Sequence, residues 1–246
     1  MLLIIFLFLK EGVIMFYPAY FDPTYILVLI GVVLSLLASA RVRSTFSKYS
    51  RVRSHSGLTG AEAAERILHN AGIYDVTIER AQGQLTDHYD PRRKVLRLSE
   101  SVYGSNSISA IGVAAHECGH AIQHQNAYVP LKVRSALVPV ANFGAAIAWP
   151  LILIGLLLTG SQTLIDIGII LFSTAVLFQL VTLPVEFNAS RRAVLKLSET
   201  GILHYEELNQ SKKVLNAAAL TYVAAAAATI LQLLRLILLF GGRRRD

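Results

Sequence analysis

The sequence predicts a mainly α-helical membrane protein, with three to four transmembrane helices carrying a small water-facing unit. Three observations predict it. The 246 residues are 54% hydrophobic and only 16% charged, and their mean hydropathy is +0.51, too apolar for an ordinary soluble domain. The apolar residues gather into runs long enough to cross a bilayer core. Between the first two runs lies a stretch of roughly ninety residues with ordinary soluble texture.

The elements follow in chain order. Residues 1–23 form an N-terminal extension whose apolar start is short and lacks a small-residue cleavage site, unlike a secretory signal, and Met15 is an alternative start. Residues 24–40 hold no charge and make the first span. Arg41, Arg43, Lys48, Arg51 and Arg53 follow it, so the positive-inside rule places residues 41–137 in the cytoplasm of a plasma-membrane protein. Within that unit Thr59 and Glu62 form a capping box for a helix reaching Asn70, before Gly72. Residues 76–80 and 94–98 alternate as strands, and residues 82–93, with Gly83 and Asp90-Pro91, read as a turn. Residues 94–98 are either an exposed edge able to take an extended substrate or an internal strand. Asn106 or Ser107 then caps a helix from Ile108 to Gln125.

Residues 138–185 make a transmembrane hairpin. Pro184 near its end calls for a kink or a new helix. Residues 186–216 return to the cytoplasm with Arg191, Arg192, Lys196, Lys212 and Lys213. Residues 217–246 are an apolar helix and a basic tail. If that helix spans, its tail lies outside, against the charge rule; otherwise it dips and returns, or lies at the interface with Arg235 snorkelling.

The net charge of +7 does not imply nucleic acid. The basic residues flank apolar runs with no interleaved aromatics, so lipid headgroups are their partner. The single cysteine, Cys118, excludes an intramolecular disulfide and reads as a small packed residue.

The chemistry is concentrated in His116-Glu117-Cys118-Gly119-His120, an H-E-x-x-H motif on the helix just described. Residues four apart share one helix face, so both imidazoles can hold one Zn²⁺ while the neighbouring carboxylate serves as general base toward a water. With the small sheet, this makes a zincin-like metallopeptidase core. A catalytic zinc site needs a third protein ligand. His124 is near in sequence but would sit about 12 Å along the axis from His116 on a continuous helix. Glu186 stands at the end of an apolar span, where a carboxylate is costly unless ligated or paired, with Arg191 or Arg192 as alternative partners. Asn188 and Ser190 share its segment as candidate supports for a ligand.

Residues 85–91, 98–99, 114–124, 183–193 and 219–225 together resemble the bacterial membrane-bound neutral zinc metallopeptidases of the YugP type. The resemblance runs from about Phe21 onward. H-E-x-x-H followed by Glu186-Phe187 is more distantly similar to HtpX-type gluzincin and CAAX-prenyl proteases. The resemblance implies His116, His120 and Glu186 as zinc ligands and Glu117 as base. Where the distant relatives carry an aspartate four residues after the ligand, this chain has Ser190, which cannot hold a histidine as an anion would.

His88 and Tyr89 in a polar turn, together with Tyr222 and the His204-Tyr205 pair, are further candidates to contact a ligand or a developing oxyanion. The alanine run 224–228 allows close helix approach, with the motif helix as the expected neighbour. The expected activity is zinc-dependent hydrolysis of membrane-associated peptide or protein substrates at a cytoplasmic site. The rival is a non-catalytic scaffold or assembly factor with a structural zinc, which would have no use for Glu117. A zinc transporter would need repeated His and Asp ligands within its spans.

Overall fold

In the computed structural model, which describes residues 22–83 and 85–241, chain order begins with α1 (Tyr25–Tyr49), α2 (Gly60–Asn70), β1 (Thr77–Ala81), β2 (His88–Asp90) and β3 (Val95–Ser99). It continues with α3 (Glu100–Tyr103), α4 (Ile108–Gln125), α5 (Val129–Leu153, running on as a π-helical stretch over Ile154–Thr159), α6 (Gln162–Glu199) and α7 (Tyr205–Phe240). The alternative start at Met15 and the tail 242–246 lie outside the described residues.

Among the described residues, α1, α5 with its extension, α6 and α7 are the four helices long and apolar enough to cross a membrane. Ile26, Leu29, Leu36 and Leu37 on α1 are all more than half exposed, a surface suited to lipid rather than water. These helices run beyond the spans expected from hydropathy: α1 continues past residue 40, and α5 begins before residue 138. Once a helix exists, each further residue adds a hydrogen bond for little entropy, so polar turns extend it past the apolar run.

Two expectations are refined. α6 continues through Pro184, so no new helix begins there; α4, α5 and α7 pack against it and hold a helix that has lost one N–H. The alanine run meets α1 at its Ala228 end, a neighbour beyond the expected motif helix: a Cβ on Gly31 would stand 3.1 Å from Ala228 Cα. α7 is one unbroken helix. Its Arg235 reaches Asp22, and the Phe240 carbonyl accepts from Gln162, so it runs the length of α1 to the end that bears the α5–α6 turn.

At the other end sits the small sheet, in the order β1-β3-β2, with β3 parallel to β1 and antiparallel to β2. The segment weighed as an exposed edge is therefore the central strand, buried except at Arg97. The edges are β1 and β2. β2 lies inside the expected turn, its three polar residues being too short a run to show alternation. One core joins Ile67 and Leu68 of α2, Leu96 and Leu98 of β3, Ile108 and Ile111 of α4, Leu197 of α6 and Leu215 of α7. Each fully buried Ile or Leu there contributes about 1.5–3 kcal/mol. Residues 41–137 and 186–216 thus share a single core.

Candidate metal centre

Ser107 starts α4 by accepting the Ala110 N–H, and Thr59 and Glu62 form the capping box that starts α2. α4 packs its apolar face on α2 and the lower turns of α7 and presents its histidines to α6. Gly119 permits this approach, since a Cβ there would lie 2.4 Å from the Ala189 carbonyl oxygen. Glu186 on α6 consequently comes to rest opposite the motif.

His116 Nε2 lies 3.3 Å from Glu186 Oε2, and His120 Nε2 lies 3.5 Å from the same oxygen. The two imidazole rings stand 4.9 Å apart and nearly perpendicular, at 86°. One donor atom from each of His116, His120 and Glu186 falls within 4.8 Å of the others. A tetrahedral Zn²⁺ with bonds of about 2.0–2.1 Å separates its donors by about 3.3–3.4 Å. The donor set therefore suits zinc, and the two histidine–carboxylate separations, 3.3 and 3.5 Å, match that spacing. Without metal, burial pushes His120 toward its neutral form, but the Glu186 hydrogen bond and the Glu117 charge outweigh it and hold the pKa above its usual value.

The second oxygen of Glu186 is not left bare: Oε1 accepts from Arg134 Nη1 on α5 at 3.0 Å. The expected partners, Arg191 and Arg192, are not the ones used. Arg192 donates instead to Asn188 Oδ1 and lies over the Tyr128 ring. Glu117 is buried, 8% exposed, and Tyr222 of α7 faces Glu186.

Ser190 Oγ lies 3.1 Å from His116 Nδ1. Asn188 does not touch a histidine directly; its Oδ1 accepts from Gln123 Nε2, while Gln123 Oε1 faces His120 Nδ1. α4 continues unbroken through His124 and turns only afterwards, at Ala127, with φ +49. His124 is accordingly carried beyond the cluster, and its Nδ1 meets the Tyr89 hydroxyl at 3.0 Å. Burial, with Asp75 and Asp90 nearby, pushes the Tyr89 pKa up to about 12, so this hydroxyl keeps its proton. His88 contacts the Thr86 carbonyl and Arg97 on the sheet. The His204 backbone N–H donates to Glu207 at the start of α7, and Tyr205 is exposed. Cys118 points to the Ala64 carbonyl on α2, away from the imidazoles, and burial pushes its thiol pKa up.

Sequence reasoning missed Arg134 and Gln123. Arg134 reads as one more basic residue before a span. Gln123 left a fainter signal, as an amide on the motif helix three residues past His120, on a helix otherwise rich in small apolar residues.

Fold and site together define a multi-helix protein of membrane-spanning proportions that brackets a three-donor, zinc-compatible His/Glu centre between a motif helix and a long apolar one. The chain belongs to the family described as "Putative neutral zinc metallopeptidase", whose model matches residues 24–241. It is 55% identical over 207 residues to the "Putative membrane protease YugP" of Bacillus subtilis (strain 168), a match covering 84% of this chain and 92% of that protein. No solved structure matches the chain.

Proposed function

We propose that the protein is a zinc-dependent, membrane-bound endopeptidase of the gluzincin kind, with His116, His120 and Glu186 holding the ion and Glu117 acting as general base. The observation that carries this reading is the convergence of His116 Nε2 and His120 Nε2 on Glu186 Oε2, at 3.3 and 3.5 Å, next to the buried Glu117. Zinc, when bound, supplies a Lewis acid that polarises the scissile carbonyl and brings the pKa of a water toward neutrality. Glu117 takes the proton of the attacking water and returns it to the leaving amine nitrogen. Tyr222, facing Glu186, donates a hydrogen bond from its hydroxyl to the carbonyl oxygen as charge develops there. Arg134 keeps Glu186 turned with one oxygen toward the histidines. His124 with Tyr89, and His88, line the approach along the edge strand β2.

The substrates are membrane-associated peptides or proteins, met on the cytoplasmic side of the plasma membrane. Supporting this are the basic residues Arg41, Arg43, Arg51 and Arg53 at the end of α1 nearest the sheet. A structural zinc site would be closed by a fourth protein ligand, whereas this cluster brings three.

The test is cleavage of an unfolded model protein by detergent-purified wild type and Glu117→Gln, with zinc counted in both. Cleavage by wild type only, at equal zinc, is the expected result. Equal cleavage by both would remove Glu117 from its role.

A further inference from the structure

We infer that Gln123 is a positioning residue that fixes His120 with its proton on Nδ1, and that Asn188 and Arg192 fix Gln123. The inference rests on the reading of His120 Nε2 as a metal donor, and it adds what makes that nitrogen's lone pair available.

Some atoms around Gln123 can only donate and others can only accept. Gln123 is fully buried, and one atom of its amide lies 2.8 Å from the Val185 carbonyl oxygen. A backbone carbonyl only accepts, so the amide must turn its NH₂ group there. The same NH₂ group meets Asn188 Oδ1 at 3.0 Å. The Asn188 amide is itself oriented by Arg192, whose Nε only donates and approaches it at 2.7 Å, so the Asn188 oxygen faces this way. With both N–H groups of Gln123 committed, only its Oε1 remains for His120 Nδ1, at 3.0 Å. An oxygen there accepts, so Nδ1 carries a hydrogen; the Glu186 carboxylate beside Nε2 also only accepts, so Nε2 gives up its own hydrogen when a metal takes that place, and it is then the nitrogen whose lone pair is free to bind.

His116 is held differently. Its Nδ1 meets Ser190 Oγ, and a hydroxyl rotates to donate or accept. One imidazole is therefore locked in the form that binds metal, while the other adapts. The absent aspartate at position 190 is offset by an amide chain on the other histidine, anchored on Arg192.

The test compares wild type, Gln123→Leu and Arg192→Met, labelled with ¹⁵N-histidine in detergent. Long-range ¹H–¹⁵N spectra of the zinc-loaded protein read which ring nitrogen of His120 carries the hydrogen and how fast that hydrogen exchanges. Competition with a chelator reads zinc affinity. Wild type should show His120 as a single Nδ1–H form. Gln123→Leu should exchange that hydrogen faster and bind zinc about 10–100-fold more weakly. Arg192→Met should shift both readings in the same direction by less, and because Arg192 is only half-buried it carries the test if Gln123→Leu does not fold. Unchanged exchange and unchanged affinity in the folded variants would overturn the inference. His120→Ala, run alongside, separates the two readings: if it keeps wild-type zinc affinity, the ligand assignment fails, while the His120 spectra of wild type and Gln123→Leu still decide the role of Gln123.

Discussion

Each end of the helical bundle carries a carboxylate–arginine pair, and the two pairs do different things. At the far end Arg235 Nη2 reaches Asp22 at 3.3 Å and lies over the Tyr25 ring, 4.1 Å from its centroid. Asp22 is otherwise satisfied locally by Thr24, so the pair clamps α7 to the start of α1 and involves little else. At the near end Arg134 meets Glu186 at 3.0 Å, but that carboxylate also faces two imidazoles and is 3% exposed. The same residue types make a clamp in one place and a mount for candidate metal donors in the other. What separates them is the number of buried groups that depend on the carboxylate, not the strength of the pair.

The largest effect is expected where the mount depends on helix spacing. Gly119→Ala would put a Cβ 2.4 Å from the Ala189 oxygen and 3.0 Å from its carbonyl carbon, both backbone atoms that cannot swing aside. α4 and α6 must then separate. Zinc should be lost, and stability should fall by about 1–3 kcal/mol, the usual cost of overpacking. Metal analysis and thermal unfolding in detergent check both; full zinc in a stable variant would show that spacing does not set the site.

Arg134→Met should come next. Removing the arginine leaves the buried Glu186 carboxylate with imidazoles alone, at a cost of about 1–3 kcal/mol in the metal-free protein. A bound divalent cation would replace the missing charge, so the loss should shrink when zinc is present. Unfolding curves with zinc and with chelator decide it. An equal loss in both would make Arg134 a simple clamp like Arg235 and erase the contrast between the two ends.

These networks also mark where the sequence was legible. Ser107, Thr59 and Glu62 announce their helices because caps are local, and H-E-x-x-H announces its donors because helical spacing is local. Glu186 was legible for another reason, as a charge at the end of an apolar run that must have a use. Arg134 and Gln123 were not, because their meaning lies in contacts reaching 52 and 62 residues along the chain. The central position of β3 was hidden in the same way: β1 and β3 pair in parallel across the β2 excursion, and strand order is not written in alternation. Pro184 left open whether the helix carries on, because the residue alone removes an N–H, and only the packed neighbours decide against a new helix.

The smallest effect belongs to the far end. Arg235→Leu removes the ion pair and the ring contact but also an Nε that is buried without a partner among the described residues. An incompletely satisfied guanidinium gains less than its contacts suggest, and the lost pair is partly exposed, so the net change should stay within about 1 kcal/mol. Leucine at that position also suits an apolar helix. Zinc content and metal affinity should be unchanged, because nothing in this contact touches α4 or Glu186. Chelator competition on Arg235→Leu measures this directly. A weaker zinc affinity would mean that the register of α7 against α1 reaches Tyr222 and the metal centre, and the two ends would then have to be treated as one coupled unit.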